Sequence, residues 1–395
     1  MANGIKIGNL DISAFKVGSD NCKVYLGDTL LYPQSQHDYS QDYFTIVSDA
    51  DNNTIKLSNR GYNTTSTSTS YWNSIPISAS TDGGSTWSGF TTSRNKSLTL
   101  GTINKGQKML LKGNATKFAN ITSAHHYFDN TENFSVEGNT LSLFYGDNFL
   151  SYDSLPTISS KELNRTMQLG CIFRNSTKLI SAENMILPTG TLTLKCYGYM
   201  FNGCTSLVAA PSSIGTSATT LAEGCCTNMF YSCTSLVTAP ELPATTLANN
   251  CYSSMFNGCT SLTTAPELPA TTLANSCYSS MFYNCTSLVT APELPATTLA
   301  NSCYSYMFRG CTSLTTAPVL SAATLVYYCY NGLFNSCTNL NSITCLATDI
   351  SSTNCTLIWV SDVAASGTFT KSSSMNDWTT GVDGIPNGWS EQNYS

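Results

Sequence analysis

Apolar positions between residues 165 and 345 repeat in one pattern. In "CYSSMFNGCTSLTTAPELPATTLAN", Cys251, Met255 and Cys259 recur at i, i+4 and i+8, with Tyr252 and Phe256 beside them. That spacing predicts one buried stripe of a short helix. Leu262 then opens "LTTAPELPA", where two prolines bar helix and favour an extended, edge-type segment. Each unit therefore reads as a short helix, a turn and an extended stretch.

The units keep a strict register. The pairs Met200–Phe201, Met229–Phe230, Met255–Phe256, Met281–Phe282, Met307–Phe308 and Leu333–Phe334 mark them, 29 residues apart at the first step and 26 at each later one. Ile172–Phe173 has the look of a degenerate founding copy. A constant period in this range is the mark of a solenoid, in which no unit buries its apolar face alone. Extended segments stack ~4.8 Å apart, whereas packed helices need ~8–10 Å. The mismatch predicts a curved array with helices on the convex side. Its concave face would display Thr238, Glu241, Thr264, Glu267, Thr290, Glu293 and Thr316, the candidate binding residues.

A different period governs the preceding region. Residues 34–160 alternate apolar with Ser, Thr and Asn, and turn signals fall every 8–12 residues, which predicts an all-β sandwich-like domain. At its end Phe134, Val136, Leu141, Leu143 and Phe144 are placed to lead into the repeats and cap them. Residues 23–33, "KVYLGDTLLYP", predict a β-hairpin around Gly27–Asp28. The expected organisation is an N-terminal β-hairpin anchor (1–33), the all-β domain (34–160), repeats (161–345) and a C-terminal β cap (346–395). The fold class expected is mixed α/β.

Composition narrows the functions. Only 11% of the 395 residues are charged and the net charge is −6, with no run of Lys or Arg. Nucleic-acid binding needs clustered positive charge, so that class is excluded. No stretch approaches the ~20 apolar residues of a membrane span. The opening residues carry no secretory pattern, which predicts synthesis in a reducing cytoplasm and release, if any, by lysis. This bears on the 17 cysteines. Six pairs recur: Cys196/Cys204, Cys225/Cys233, Cys251/Cys259, Cys277/Cys285, Cys303/Cys311 and Cys329/Cys337. On a helix each pair would lie about 12 Å apart along the axis, beyond disulfide reach. Close zinc-type spacings are missing, so no metal is expected. The cysteines are read as reduced core residues. Packing is also preferred for the column Tyr252, Tyr278, Tyr304 and Tyr330 over a sugar-binding strip. Solvent exposure is preferred for the Glu241, Glu267 and Glu293 column over cation binding, and Thr260, Thr286 and Thr312 are read as a structural hydroxyl ladder.

The unit "CYSSMFNGCTSLTTAPELP" resembles the BspA-type leucine-rich repeat, whose Phe-x-x-Cys-x-x-Leu core appears here as Phe256, Cys259, Leu262 and again as Phe282, Cys285, Leu288. The resemblance covers roughly 165–345 and implies a curved leucine-rich-repeat solenoid used for recognition, as in surface adhesins and virion proteins of gut phages. The segment "KVYLGDTLLYP" is similar to N-terminal modules of phage fibre proteins, including the crAss-like group. "GTFTKSSSMNDWTTGVDGIPNGW" resembles a closing segment of gut-phage appendage proteins. Together these imply a virion head or tail fibre component, anchored to capsid or tail proteins through Lys23, Tyr25, Leu26, Leu30 and Tyr32. A host-surface glycan or protein would be its ligand, and a homotrimer its assembly. The alternative is a bacterial surface adhesin of the BspA type.

Signals for catalysis are few. "STDGGSTW", Ser80 to Trp87, fits the Asp-box pattern and resembles the hairpin turn of sialidase propellers. It occurs once, and one copy builds no propeller, so it is read as a structural turn. Of three histidines, the adjacent His125 and His126 would point to opposite faces of a strand. No G-x-S-x-G, P-loop or H-E-x-x-H occurs. Neither enzymatic activity nor a cofactor is expected.

Overall fold

The computed structural model describes residues 37–61, 74–93, 96–120, 124–157, 166–216 and 219–394, and the strands of the first 36 residues. The chain divides into two compact units, Met1–Ser40 and Gln41–Ser395.

The first unit holds five strands: β1 (Lys6–Ile7), β2 (Leu10–Asp11), β3 (Ala14–Val17), β4 (Cys22–Leu26) and β5 (Thr29–Tyr32). β1 pairs with β2, and β3, β4 and β5 form an antiparallel sheet. Leu26 lies opposite Thr29 and Tyr25 opposite Leu30, so the strands expected around Gly27–Asp28 are paired. The side chains of Lys23, Tyr25, Leu26, Leu30 and Tyr32 lie outside the described residues.

The second unit begins with two sheets. Their strands are β6 (Phe44–Ser48), β7 (Asn53–Gly61), β8 (Pro76–Ser80), β9 (Ser88–Thr91), β10 (Ser97–Ile103), β11 (Lys108–Gly113), β12 (Ala119–Asn120), β13 (Ala124–Phe128), β14 (Phe134–Asn139), β15 (Thr166–Met167) and β16 (Leu179–Ile186). One sheet runs β16-β14-β6-β11-β8-β9 and the other β10-β7-β13-β12-β15. Period-two alternation aims Phe44, Ile46, Ile55, Leu57, Ile77, Met109 and Leu111 inward, where all are buried. β16 lies beyond residue 160, yet it joins the six-stranded sheet by pairing in parallel with β14. Phe134, Val136, Leu141, Leu143 and Phe144 are buried beside it, in one core that continues from Phe44 to Trp389.

In the repeats the structure departs from expectation. They contain no α-helix. The single α-helix among the described residues is α1 (Ser142–Tyr145), outside the repeats. The molecule is mostly β and turn, so the expected mixed α/β class, with a helix in every unit of a curved leucine-rich-repeat solenoid, is overturned.

The backbone shows why. Asn250, Ser254 and Gly258 have φ of 55°, 54° and 76°, and every later unit repeats a left-handed residue at each fourth position. A right-handed helix cannot absorb such residues. Hydrogen bonds alternate instead. The N–H groups of Asn250, Tyr252, Ser254, Phe256 and Gly258 donate to carbonyls one unit ahead, at 2.8 to 3.0 Å. Those of Cys251, Ser253, Met255, Asn257 and Cys259 donate three residues back within the unit. Both sides of a unit therefore bond directly to the next. The spacing mismatch invoked to curve the array is absent, and with it the argument for a concave face.

The Ala-Pro-Glu-Leu-Pro segments are flanked by isolated parallel bridges, such as Thr238↔Thr264 before them and Thr246↔Thr272 after them. Their prolines lack the N–H that a continuous ladder would need. Between the two sides run stacked rings. Phe173, Phe201, Phe230, Phe256, Phe282, Phe308 and Phe334 form one column with centroids 5.1 to 5.8 Å apart. Trp359 closes it, packed on Phe334, Tyr330 and Trp378. Beyond it β17 (Ser342–Cys345), β18 (Thr368–Lys371) and β19 (Ser390–Asn393) form a parallel sheet.

Candidate functional site

Of the surfaces singled out in the sequence, the proline-glutamate side of the repeats is the one presented to solvent. Thr238, Thr264, Thr290 and Thr316 are exposed, as are Glu241, Glu267 and Glu293. Parallel bridges tie Thr238 to Thr264 and Thr264 to Thr290, while Thr316 bridges Ser342 and Glu241 bridges Ser213. The backbone thus fixes the spacing of these side chains. Between two successive units Pro240, Pro243, Pro266 and Pro269 join Glu241 and Glu267 around a groove of about 420 Å³. Flat proline rings beside carboxylates offer apolar contact and hydrogen-bond acceptance, and the groove holds no basic side chain. Exposed Val208, Val237 and Val289 stand immediately before the bridged Ala209, Thr238 and Thr290. Sequence reasoning missed these valines, whose only signal was the Leu-Val step that opens the extended segment in three of the units.

The tyrosine and cysteine columns face inward. Tyr252, Tyr278, Tyr304 and Tyr330 are at most 2% exposed and stack about 6 Å apart, out of reach of any ligand. Hydroxyls of Thr260 and Thr312 donate to the carbonyls of Thr234 and Thr286 in the preceding units. The cysteines of the repeats are free and buried. The helix-based distance between paired thiols no longer applies, and a different arrangement holds them. Cys204, Cys233, Cys259, Cys285, Cys311 and Cys337 each donate S–H to the carbonyl of the preceding unit's Phe, at 2.9 to 3.1 Å. Burial pushes these thiols well above the usual thiol range; Cys337 reaches about 12. Such groups are poor nucleophiles and poor ligands. Among the described residues, no cluster of His, Cys, Asp and Glu is placed to hold a metal ion, and no helix is long and apolar enough to cross a membrane.

In the sheets, the Asp-box segment closes the β8–β9 hairpin. Asp82 accepts from Thr86 N–H, Thr86 Oγ1 and Ser80 Oγ, which hold its carboxyl well below the usual range. Trp87 Nε1 donates to Gly84 O at 2.9 Å and folds the ring over the turn. All of Asp82's bonds close the loop on itself, which leaves this carboxylate with a structural task. Lys112 Nζ sits 4.0 Å from the Trp87 ring centre and 2.7 Å from Asp147 Oδ1. Tyr43 donates to the same oxygen at 2.6 Å, and burial with Asp147 beside it raises the phenol to about 12.

His125 and His126 do point apart on β13, with His126 buried. Its Nε2 lies 2.8 Å from Asn59 Nδ2 and 3.0 Å from Thr92 Oγ1, and Nδ1 lies 3.2 Å from Phe118 O. Burial lowers its pKa to about 4, so the ring is neutral at pH 7.

No family model, curated protein or solved structure matches the chain.

Proposed function

We propose that the chain is a non-enzymatic binding component of a phage virion, a head or tail fibre or appendage. It adheres without covalent chemistry to a host-surface glycan or protein. The observation that carries this reading is the exposed Thr and Glu pattern repeated at 26-residue steps along a continuous buried spine. Identical weak polar contacts on a rigid backing sum along an extended ligand, and many copies on one particle multiply them. The resemblances of the N-terminal and C-terminal segments to phage appendage proteins support a first unit held at the particle against capsid or tail proteins, and the assembly proposed is a homotrimer.

Gold-labelled antibody to the purified chain, applied to sections of its source culture, tests this. Label on particles is expected; label on the cell envelope would favour the bacterial adhesin instead. In parallel, the variant Thr264→Ala/Glu267→Gln/Thr290→Ala/Glu293→Gln should lower binding of the chain to host cells by about tenfold or more. Turnover of host polysaccharide by the purified chain would replace adhesion with catalysis.

A further inference from the structure

A second pocket, unrelated to the repeat face, opens in the six-stranded sheet. Its lining comes from the β8–β9 hairpin, the end of β11 and the turn after α1, and its volume is about 510 Å³. That lies within the range of small-ligand sites, ~300–1,000 Å³. Aromatic surface comes from Phe90 on β9 and Tyr145 at the end of α1. Tyr145 is held in place. Its ring stacks on Tyr152 at 3.7 Å with planes 4° apart, and its hydroxyl donates to Ser154 O at 3.1 Å. At Gly113 bare backbone lines the pocket, because a Cβ there would meet Pro76 O at 2.8 Å and Leu143 O at 2.9 Å. Polar reach comes from Asn114, Asn148 and Asp147.

Charge decides the ligand class. Lys112 and Asp147 are the two charged residues of the lining, and they pair with each other at 2.7 Å. Both Lys112 and Tyr43 donate to Oδ1 of Asp147, which leaves Oδ2 to accept from a ligand. The site is electrically balanced, combining flat rings held by packing with amide donors and carboxylate acceptors. Sugar rings have one apolar C–H face and a rim of hydroxyls that donate and accept. We propose that this pocket binds a neutral pyranose unit of a saccharide, with its C–H face on Phe90 and Tyr145 and its hydroxyls on Asp147, Asn148 and Asn114.

The test is saturation-transfer NMR on the full chain, with galactose, glucose, mannose, fucose, rhamnose, N-acetylglucosamine and N-acetylgalactosamine as neutral probes. N-acetylneuraminic acid serves as the anionic one. At least one neutral sugar is expected to bind. Phe90→Ala and the exposed-site variant Asn148→Ala should each weaken it about fivefold or more, while the control Asp377→Asn, exposed and outside both surfaces, leaves it unchanged. Silence from every neutral probe, or a signal from the anionic probe alone, overturns the proposal. So does binding lost in Glu267→Gln but kept in Phe90→Ala and Asn148→Ala. That last outcome would move the sugar to the repeats and leave the adhesion reading standing, whereas failure of the repeat-face variant to lose cell binding would touch that reading alone.

Discussion

The two sheets and the repeats bury their apolar residues in one continuous core, yet they reach it by different means. In the sheets the partners of a strand lie far apart in sequence, as where β6 pairs with β11 and β14, and inward residues alternate with outward ones. In the repeats each unit leans on its neighbours 26 residues away, and sulfur and aromatic columns replace alternation. Buried polarity differs as well. The sheets enclose a neutral imidazole, whereas the repeats enclose protonated thiols and phenols. The lesson is that one core can carry opposite responses to pH.

Alkali should open the comparison widest. Folded-state thiol pKa values lie above the unfolded value, so the protonated thiols stabilise the fold fully below about pH 9, and this is lost as pH rises toward the folded values. Cys277, Cys329, Cys337 and Cys345 reach about 12. Each thiol removes about 1.4 kcal/mol per pH unit above 9, so several together should unfold the repeats between pH 9 and 11. Circular dichroism with residue-resolved hydrogen exchange checks this; sheets that exchange first would break the contrast.

Phe256→Ala, which interrupts the ring column, should cost about 3–5 kcal/mol in chemical denaturation. Because coupling runs between neighbouring units, exchange should rise most at residues 230–282 and least in β6 and β11. Acid should act on the other region. His126 is held at about 4 against an ordinary 6.5, so the unfolded chain takes up its proton first as pH falls. Stability should drop by about 3 kcal/mol between pH 6.5 and 4, and His126→Gln should flatten that slope. The smallest change tests the turn geometry. Ser280 has φ of 55°, and Ser280→Val should cost about 1–3 kcal/mol of stability, read as a lower thermal midpoint, although its side chain is not fully buried.

Much of the repeat was legible. Register, the buried Met, Phe and Cys columns and the exposed Glu positions follow from the 26-residue period alone. The helix was not legible as an error, because i, i+4, i+8 fits a period of 4.0 as well as one of 3.6 over two steps. What separates them is the residue at every fourth position: Asn250, Ser254 and Gly258, then Ser276, Ser280 and Asn284. Asn, Ser and Gly tolerate or locally satisfy left-handed backbone and are weak helix formers. The Asp-box hairpin was readable because its partners lie within seven residues. The pocket beside it was not, since Phe90, Asn114 and Tyr145 come from separate segments that only the sheet pairing unites.

The sulfur-to-carbonyl contacts have a practical corollary. Each sulfhydryl sits in the wall between two adjoining units, so a labelling reagent can reach it only when that wall parts. The rate at which a disulfide-forming dye modifies the native chain is then a clock for opening events. Read cysteine by cysteine through mass spectrometry, it reports which seam gives way first and how often, with no residue substituted.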